Sequence, residues 1–277
     1  MSLYLKIHVT SRNDGAATVR YNGVDSERIP TDNTNLIAHT ISETLAAWHV
    51  KRGFDLEIEN RIPVAVGLGS SAAAIVGAVA ACGWLADKPL SDEELLSLAT
   101  RIEGHPDNVA AAWHGGFTVA MEQQGRVMAY SCPVPDSIHL VVVVPDYPLP
   151  TEKARSVLPA QYSRGDAVYN LQRASMLAAE FFSGRAELNP SLFDDRWHQQ
   201  YRAPLVPGLT KVLQLRHPDL VGVCLSGAGP SVLAFARGNT QAIGQLVQQT
   251  LREEGVESRA YSLAADNLGA KGWCLPK

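Results

Sequence analysis

At 277 residues, with 46% hydrophobic and 19% charged residues, the chain has the composition of a soluble globular protein and not of a disordered or fibrous one. Its length allows two ordinary domains or one large α/β unit. A formal net charge of −4 without any long run of Lys or Arg gives no support to a surface that tracks nucleic-acid phosphates, so the expected partners are small molecules and no nucleic acid.

Leu3, Leu5, Ile7 and Val9 alternate onto one face, and Ala17, Val19 and Tyr21 do so after a turn at Asn13, Asp14 and Gly15, which predicts a hairpin. Leu36, Ile37, Thr40, Ile41, Thr44, Leu45 and Trp48 recur at helical spacing between Thr34 and Val50, ahead of Gly53. Phe54, Leu56 and Ile58 then alternate with charged residues in a strand that breaks between Asn60 and Pro63. The apolar stretch Ala72 to Leu85 is shorter than the ~20 residues a membrane span needs, so it reads as a buried helix and no membrane association is expected.

Ser91 with Glu94 forms a capping-box pattern for a helix through Ile102, and Asp107 is placed to cap a helix through Ala112 that stops at Gly115-Gly116. His139 to Val144 is a continuous apolar run ended by Pro145, as in a buried strand, and a domain boundary is expected nearby, dividing the chain into 1–135 and 136–277. Ala167 to Phe182 reads as a long helix, with strands at Gly222 to Leu225 and Ser231 to Ala236 flanking a glycine-rich turn. The cysteines Cys82, Cys132, Cys224 and Cys274 form no C-x-x-C pair, and Met1 to Thr10 alternates like a strand and not like a signal peptide, so a reducing cytoplasm is the expected location.

Chemistry concentrates in three segments. Pro63-Val64-Ala65-Val66-Gly67-Leu68-Gly69-Ser70-Ser71-Ala72-Ala73 places two glycines and two serines where a strand gives way to a small-residue helix. Gly67 and Gly69 let backbone N–H groups approach an anion, and the helix N-terminus offers unpaired donors to phosphate. The plainer reading is a tight turn whose glycines only satisfy the backbone. Gly67-x-Gly69-x-x-Ala72 also fits a permissive dinucleotide fingerprint, but it lies deep in the chain and Asp87, about 20 residues on, falls in a loop-like stretch. No Gly-Lys-Ser/Thr ends either glycine-rich turn, which excludes a P-loop.

Glu103-Gly-His105-Pro-Asp107-Asn108 packs two carboxylates, an imidazole and an amide between two helix ends. A phosphotransferase needs a hard oxygen ligand for Mg²⁺ and polar groups for its acceptor, which Glu103, His105 and Asn108 supply, while Asp107 is accounted for as a cap. Cys224-Leu-Ser-Gly227-Ala-Gly229-Pro-Ser231 is a second glycine-rich turn, and two such turns in one chain are more economically read as wrapping one polyphosphate than as two separate loops.

These segments resemble the GHMP kinases, Pro63 to Ala73 the family's second motif and Leu225 to Ser231 its third. EGHPDN at 103–108, TEKAR at 151–155 and Tyr201-Arg-Ala-Pro-Leu-Val-Pro207 are similar to its homoserine kinase branch. The resemblance implies an α+β fold with a ribosomal protein S5 domain 2-like N-terminal domain and a ferredoxin-like C-terminal domain. It implies ATP-dependent phosphorylation of L-homoserine in threonine biosynthesis, and, by analogy, a homodimer. It places residues 63–73, Gly227 and Gly229 around the triphosphate of ATP, Asn35 at the adenine, and Ser71 with Glu103 on Mg²⁺. His105, Asn108, Arg155 and Arg202 would hold homoserine, with an arginine fork for the α-carboxylate, and Thr151 would lie by the transferred phosphoryl group. None of the matched residues demands the role of catalytic base, since positioning and charge neutralisation dominate phosphoryl transfer, and Asp107 is the spare candidate for it. Family members open with a motif resembling P-A-T-S-A-N-L-G-P-G-F-D, which does not precede SLYLKIHV here. A start assigned too late is the expected cause, against a non-catalytic nucleotide-binding descendant; a kinase of mevalonate or sugar alcohols is the other alternative.

Overall fold

The computed structural model describes residues 1–185 and 187–272, so Cys274 lies outside the described residues. The chain divides into two compact units, one holding Leu3–Val64, Gly69–Cys132 and the chain from Asp266, the other Met1–Ser2, Ala65–Leu68 and Pro133–Ala265.

In the first unit, β1 (Leu5–Arg12), β2 (Ala17–Gly23) and β3 (Gly53–Asn60) form a sheet in the order β1-β3-β2. The expected β1–β2 hairpin does not form. β3 lies between the two strands, antiparallel to β1 and parallel to β2. Charge explains the choice. Asp55, Glu57 and Glu59 alternate on β3, and they meet Arg12 (2.9 Å), Arg20 (3.0 Å) and Lys6 (3.5 Å) from the two neighbours. A β1–β2 ladder would set bases beside bases, whereas opposite charges across strands are favourable.

The other face of β3 buries Phe54, Leu56 and Ile58 against Ile37, Ile41 and Leu45 of α1 (Leu36–Ala47) and Ala74, Ala78 and Ala81 of α2 (Ser70–Leu85). The far side of α2 buries Ile75, Val76 and Val79 against α3 (Asp92–Glu103), α4 (Pro106–His114) and Val127. An all-round apolar helix is the sequence such a sandwiched position requires. The capping box forms at Ser91 and Glu94. Asp107 does not cap α4: the N-cap is His105, Pro106 occupies the first helical position that suits its fixed φ, and Asp107 sits in the first turn. A separate two-stranded ladder joins β4 (Phe117–Gln123) to β5 (Arg126–Cys132), two strands the apolar periodicity did not mark.

The second unit runs β6 (His139–Pro145), α5 (Thr151–Ser156), α6 (Arg164–Phe182), α7 (Gln199–Arg202), α8 (Leu209–Leu213), β7 (Leu220–Leu225), β8 (Val232–Ala236), α9 (Thr240–Arg252) and β9 (Ser258–Leu263). The sheet order β7-β8-β6-β9, with every pair antiparallel, is the ferredoxin-like arrangement. Val141 and Val143 face Ile243, Val247 and Leu251 of α9, while Val142 and Val144 of the same strand pack with Val66. Burial on both faces is why β6 reads as an unbroken apolar run, and Val66 is what ties residues 65–68 to this unit.

Candidate functional site

In the first unit the site grows from the start of α2. Gly69 is its N-cap in the left-handed region, and having no side chain it leaves the first-turn N–H groups uncapped. Ser71 Oγ donates to Glu103 Oε1 at 2.7 Å, which joins the start of α2 to the end of α3. His105 follows just past the Gly104 cap, its Nε2 3.9 Å from the same carboxylate oxygen and its Nδ1 bonded to Asp107 Oδ1. The Asn108 amide lies beside Gly69, where a Cβ would come within 3.2 Å of its Oδ1. One carboxylate, one hydroxyl, one imidazole and one amide thus surround a helix N-terminus, a combination suited to an anion with a hard cation. Residues 103–108 converge with residues 69–73 here, and Asp107, expected from the sequence as a cap and as the spare candidate for a base, holds the imidazole.

Pro63 and Val64 also belong to this unit, and the Val64 N–H is already donated to Asp25 Oδ2 at 2.9 Å. Asn35 sits apart from the cluster in its bonding. It is 3% exposed, accepts from Ile37 and Ala38 N–H as the cap of α1 and donates Nδ2 to Pro30 O at 2.9 Å. Its amide is committed to the fold. Asn35→Ala is expected to cost about 0.5–2 kcal/mol, the usual value of such a cap, read by urea denaturation; a parallel rise in the KM for ATP would be the mark of an adenine contact in addition.

In the second unit the two glycine-rich segments meet. Ser226 Oγ donates to Gly67 O at 2.8 Å and Ser231 N–H to Val66 O at 3.2 Å. Gly67 has φ 84, and a Cβ there would lie 2.3 Å from Ser226 O, so this glycine is required by loop-on-loop packing whatever the loops hold. Gly67→Ala is expected to lose about 1–3 kcal/mol from the backbone conformation alone and more from the collision. Gly104→Ala, with φ 92 and nothing within 4 Å of its Cβ, is the control that carries only the conformational cost in the same denaturation measurement.

Arg202 is 9% exposed and is held by three acceptors. Nε donates to Ala154 O (3.0 Å), and Nη1 donates to Gly227 O (3.0 Å) and His198 Nδ1 (3.1 Å). Burial pushes its pKa down, with Arg155 acting the same way and Asp195 opposing; a guanidinium starts so high that it stays charged. Among the described residues its Nη2 has no hydrogen-bond partner, so Arg202 offers one nitrogen and not a full fork. Arg155, exposed on α5 and in no ion pair among the described residues, keeps the fork free. Thr151, an exposed residue, opens the same short helix. Asp195, His198 and Gln199 were not singled out by composition. Their signal is the spacing Asp195-x-x-His198-Gln199-x-x-Arg202, which gathers polar groups on the turn that carries the buried cation.

Residues 35–116 match the family described as the GHMP kinases N terminal domain. The chain is 41% identical to a homoserine kinase of Solibacter usitatus over 273 residues, 97% of this chain and 90% of that protein. It is 39% identical to one of Deinococcus radiodurans over 96% of this chain and 88% of that protein. A crystal structure of homoserine kinase from Cytophaga hutchinsonii superposes with a TM-score of 0.83 at 23% identity, covering 96% of this chain and 87% of that one, which speaks for the fold. A putative homoserine kinase from Listeria monocytogenes gives 0.76 at 26% identity over 99% and 91%.

Proposed function

The chain belongs to the homoserine kinase family of the GHMP kinases, and from that membership we propose that it transfers the γ-phosphoryl group of ATP to the side-chain hydroxyl of L-homoserine, giving ADP and O-phospho-L-homoserine for threonine biosynthesis. The observation that carries the reading is the Ser71–Glu103 pair at the first turn of α2. It sets a hydroxyl and a carboxylate beside uncapped helix N–H groups, the donor set a magnesium nucleotide asks for.

No group of three or more His, Cys, Asp or Glu that could cage a metal occurs among the described residues. That fits Mg²⁺, which binds through one or two carboxylates plus substrate phosphates and keeps several waters. Glu103 and Ser71 are the residues that would hold it, and when bound it supplies neutralisation of the charge on the transferring group. The α2 N-terminus with Gly69, Ser70 and Ala72, and the glycine turns with Gly67 and Gly227, present backbone donors to the phosphates, while the Ala73 and Gly229 N–H groups are donated to Gly69 O and Ser226 O and shape the cradle. Asn108, beside Gly69, and His105, held by Asp107, orient the acceptor hydroxyl. Arg155 and Arg202 take its carboxylate, and Thr151 lies by the group in transfer. In-line placement lowers the barrier without a dedicated base.

A cytoplasmic location and a homodimer belong to the same reading. Cys82, Cys132 and Cys224 are free thiols, and among the described residues no helix is long and apolar enough to cross a membrane. The test is coupled ADP release with ATP, Mg²⁺ and L-homoserine, with mevalonate as the control acceptor and O-phosphohomoserine identified by mass. Turnover dependent on homoserine is expected. ADP release that follows mevalonate, or release indifferent to either acceptor, would sink the reading.

A further inference from the structure

The loop leading into α7 carries a chain of polar contacts to which the reaction as described gives no part. Asp195 Oδ1 accepts the backbone N–H groups of Trp197 (3.1 Å), His198 (2.7 Å) and Gln199 (2.7 Å), and Oδ2 accepts Asn170 Nδ2 of α6 at 2.7 Å. Burial acts to raise the Asp195 pKa, but these donors outweigh it and leave it below the usual carboxylate range. Gln199 pins the start of the same helix, donating to Phe193 O and accepting the Leu225 N–H at the entry to the second glycine turn. α7 is therefore held at its N-terminal end while its last residue, Arg202, spans Ala154 and Gly227.

His198 links the two ends. Its Nε2 lies 3.9 Å from Asp195 Oδ2 and its Nδ1 3.1 Å from Arg202 Nη1. A guanidinium has donors only, so Nδ1 is the acceptor and the proton of the neutral ring sits on Nε2, an assignment made from the partners. We infer that His198 is a positioning residue for the acceptor: its unprotonated Nδ1 sets the angle of the Arg202 guanidinium so that Nη2 meets the substrate carboxylate, and protonation of the ring releases that hold. This rests on the proposed role of Arg202 in binding an amino-acid acceptor.

The groups acting on the ring are Asp195 from its own loop and Arg202 from α7, and Arg202 in turn feels Arg155 from α5 and Tyr162 from the segment after it. Burial pushes the His198 pKa below its usual value, Arg202 pushes the same way and Asp195 opposes. The ring is thus neutral at pH 7, and acidification places an N–H against the guanidinium N–H.

Two measurements test this. In homoserine kinetics, His198→Ala is expected to raise the KM for homoserine several-fold with a smaller change in kcat. His198→Asn, whose amide oxygen can stand near the Nδ1 position, restores it to within about twofold and removes the rise in KM expected of wild type as pH falls through the ring's pKa, which lies below the ordinary histidine value. Comparing wild type with His198→Asn at each pH cancels titration of the nucleotide. In ¹⁵N spectra of the imidazole at pH 7, Nδ1 should be the unprotonated nitrogen, and Arg202→Gln should raise the His198 pKa. Equal KM in His198→Ala, no rescue by Asn, an unchanged acid limb, or a proton on Nδ1 would each overturn the inference. A wild-type chain silent toward homoserine both as it stands and with an N-terminal extension that carries the first motif would defeat the kinase reading itself, and the spectra would still decide whether the ring accepts from Arg202.

Discussion

Glu103→Gln is expected to lower kcat by roughly 10²–10³-fold at fixed Mg²⁺, the scale on which one electrostatic stabiliser of a transition state is lost. Glutamine keeps the length and shape of the side chain, and its amide oxygen can still accept from Ser71 Oγ across the present 2.7 Å, so the junction of α2 and α3 persists. What disappears is the negative charge, and a small hard cation discriminates sharply between carboxylate and amide oxygen. Thermal unfolding should therefore move little, since the Ser71 bond is kept, while the Mg²⁺ concentration for half-maximal rate rises and high Mg²⁺ recovers part of the loss. Glu103→Asp draws the charge back without removing it and should fall between the two. Near-normal turnover with unchanged metal dependence would remove Glu103 from the metal site.

Much of the fold was legible because charge and apolarity agree. β6 reads as buried on both faces and is; α2 is apolar all round and lies between two layers; Ser91 and Glu94 announce α3 and cap it. The hairpin expected from proximity in sequence gives way to β3 because Asp55, Glu57 and Glu59 alternate against Lys6, Arg12 and Arg20. β4 and β5 escaped for another reason. Val119, Met121, Met128 and Tyr130 are 37%, 48%, 49% and 69% exposed, so their apolar alternation marks no core, and the turn at Gln124 and Gly125, both with positive φ, lacks the Asn-Gly or Asp-Gly signature.

The site was legible in its motifs and not in its supports. EGHPDN and the helix start at 70 could be joined from chemistry alone, since a phosphotransferase needs both. That Asp107 orients His105 while leaving the capping position to it, or that Asn35 spends its amide on α1, depends on backbone placement that residue type does not fix. The glycine turns show the same limit. Their pairing followed from economy, but the need for glycine at 67 comes from Ser226 O, 159 residues away in the chain.

Arg202→Lys is expected to reduce kcat/KM for homoserine by about 2–4 kcal/mol, roughly 30- to 1000-fold, because a buried, hydrogen-bonded cation is being replaced by one that cannot reproduce its geometry. The guanidinium reaches Ala154 O, Gly227 O and His198 Nδ1 at once; an ammonium is a single point and must abandon at least one of them. Some of the loss is therefore structural, since an acceptor left unsatisfied in the interior costs about 1–3 kcal/mol. The acceptor itself separates the two parts. 3-Aminopropan-1-ol has the hydroxyl and amine of homoserine without the carboxylate, and wild type should use it far less well. If Arg202 Nη2 binds that carboxylate, the lysine variant discriminates less between the two acceptors than wild type does, because one of the two arginine contacts that distinguish them is gone and only Arg155 remains. Were the variant to lose the same factor on both, Arg202 would be a strut between α5 and the glycine turn, and the carboxylate would belong to Arg155 alone.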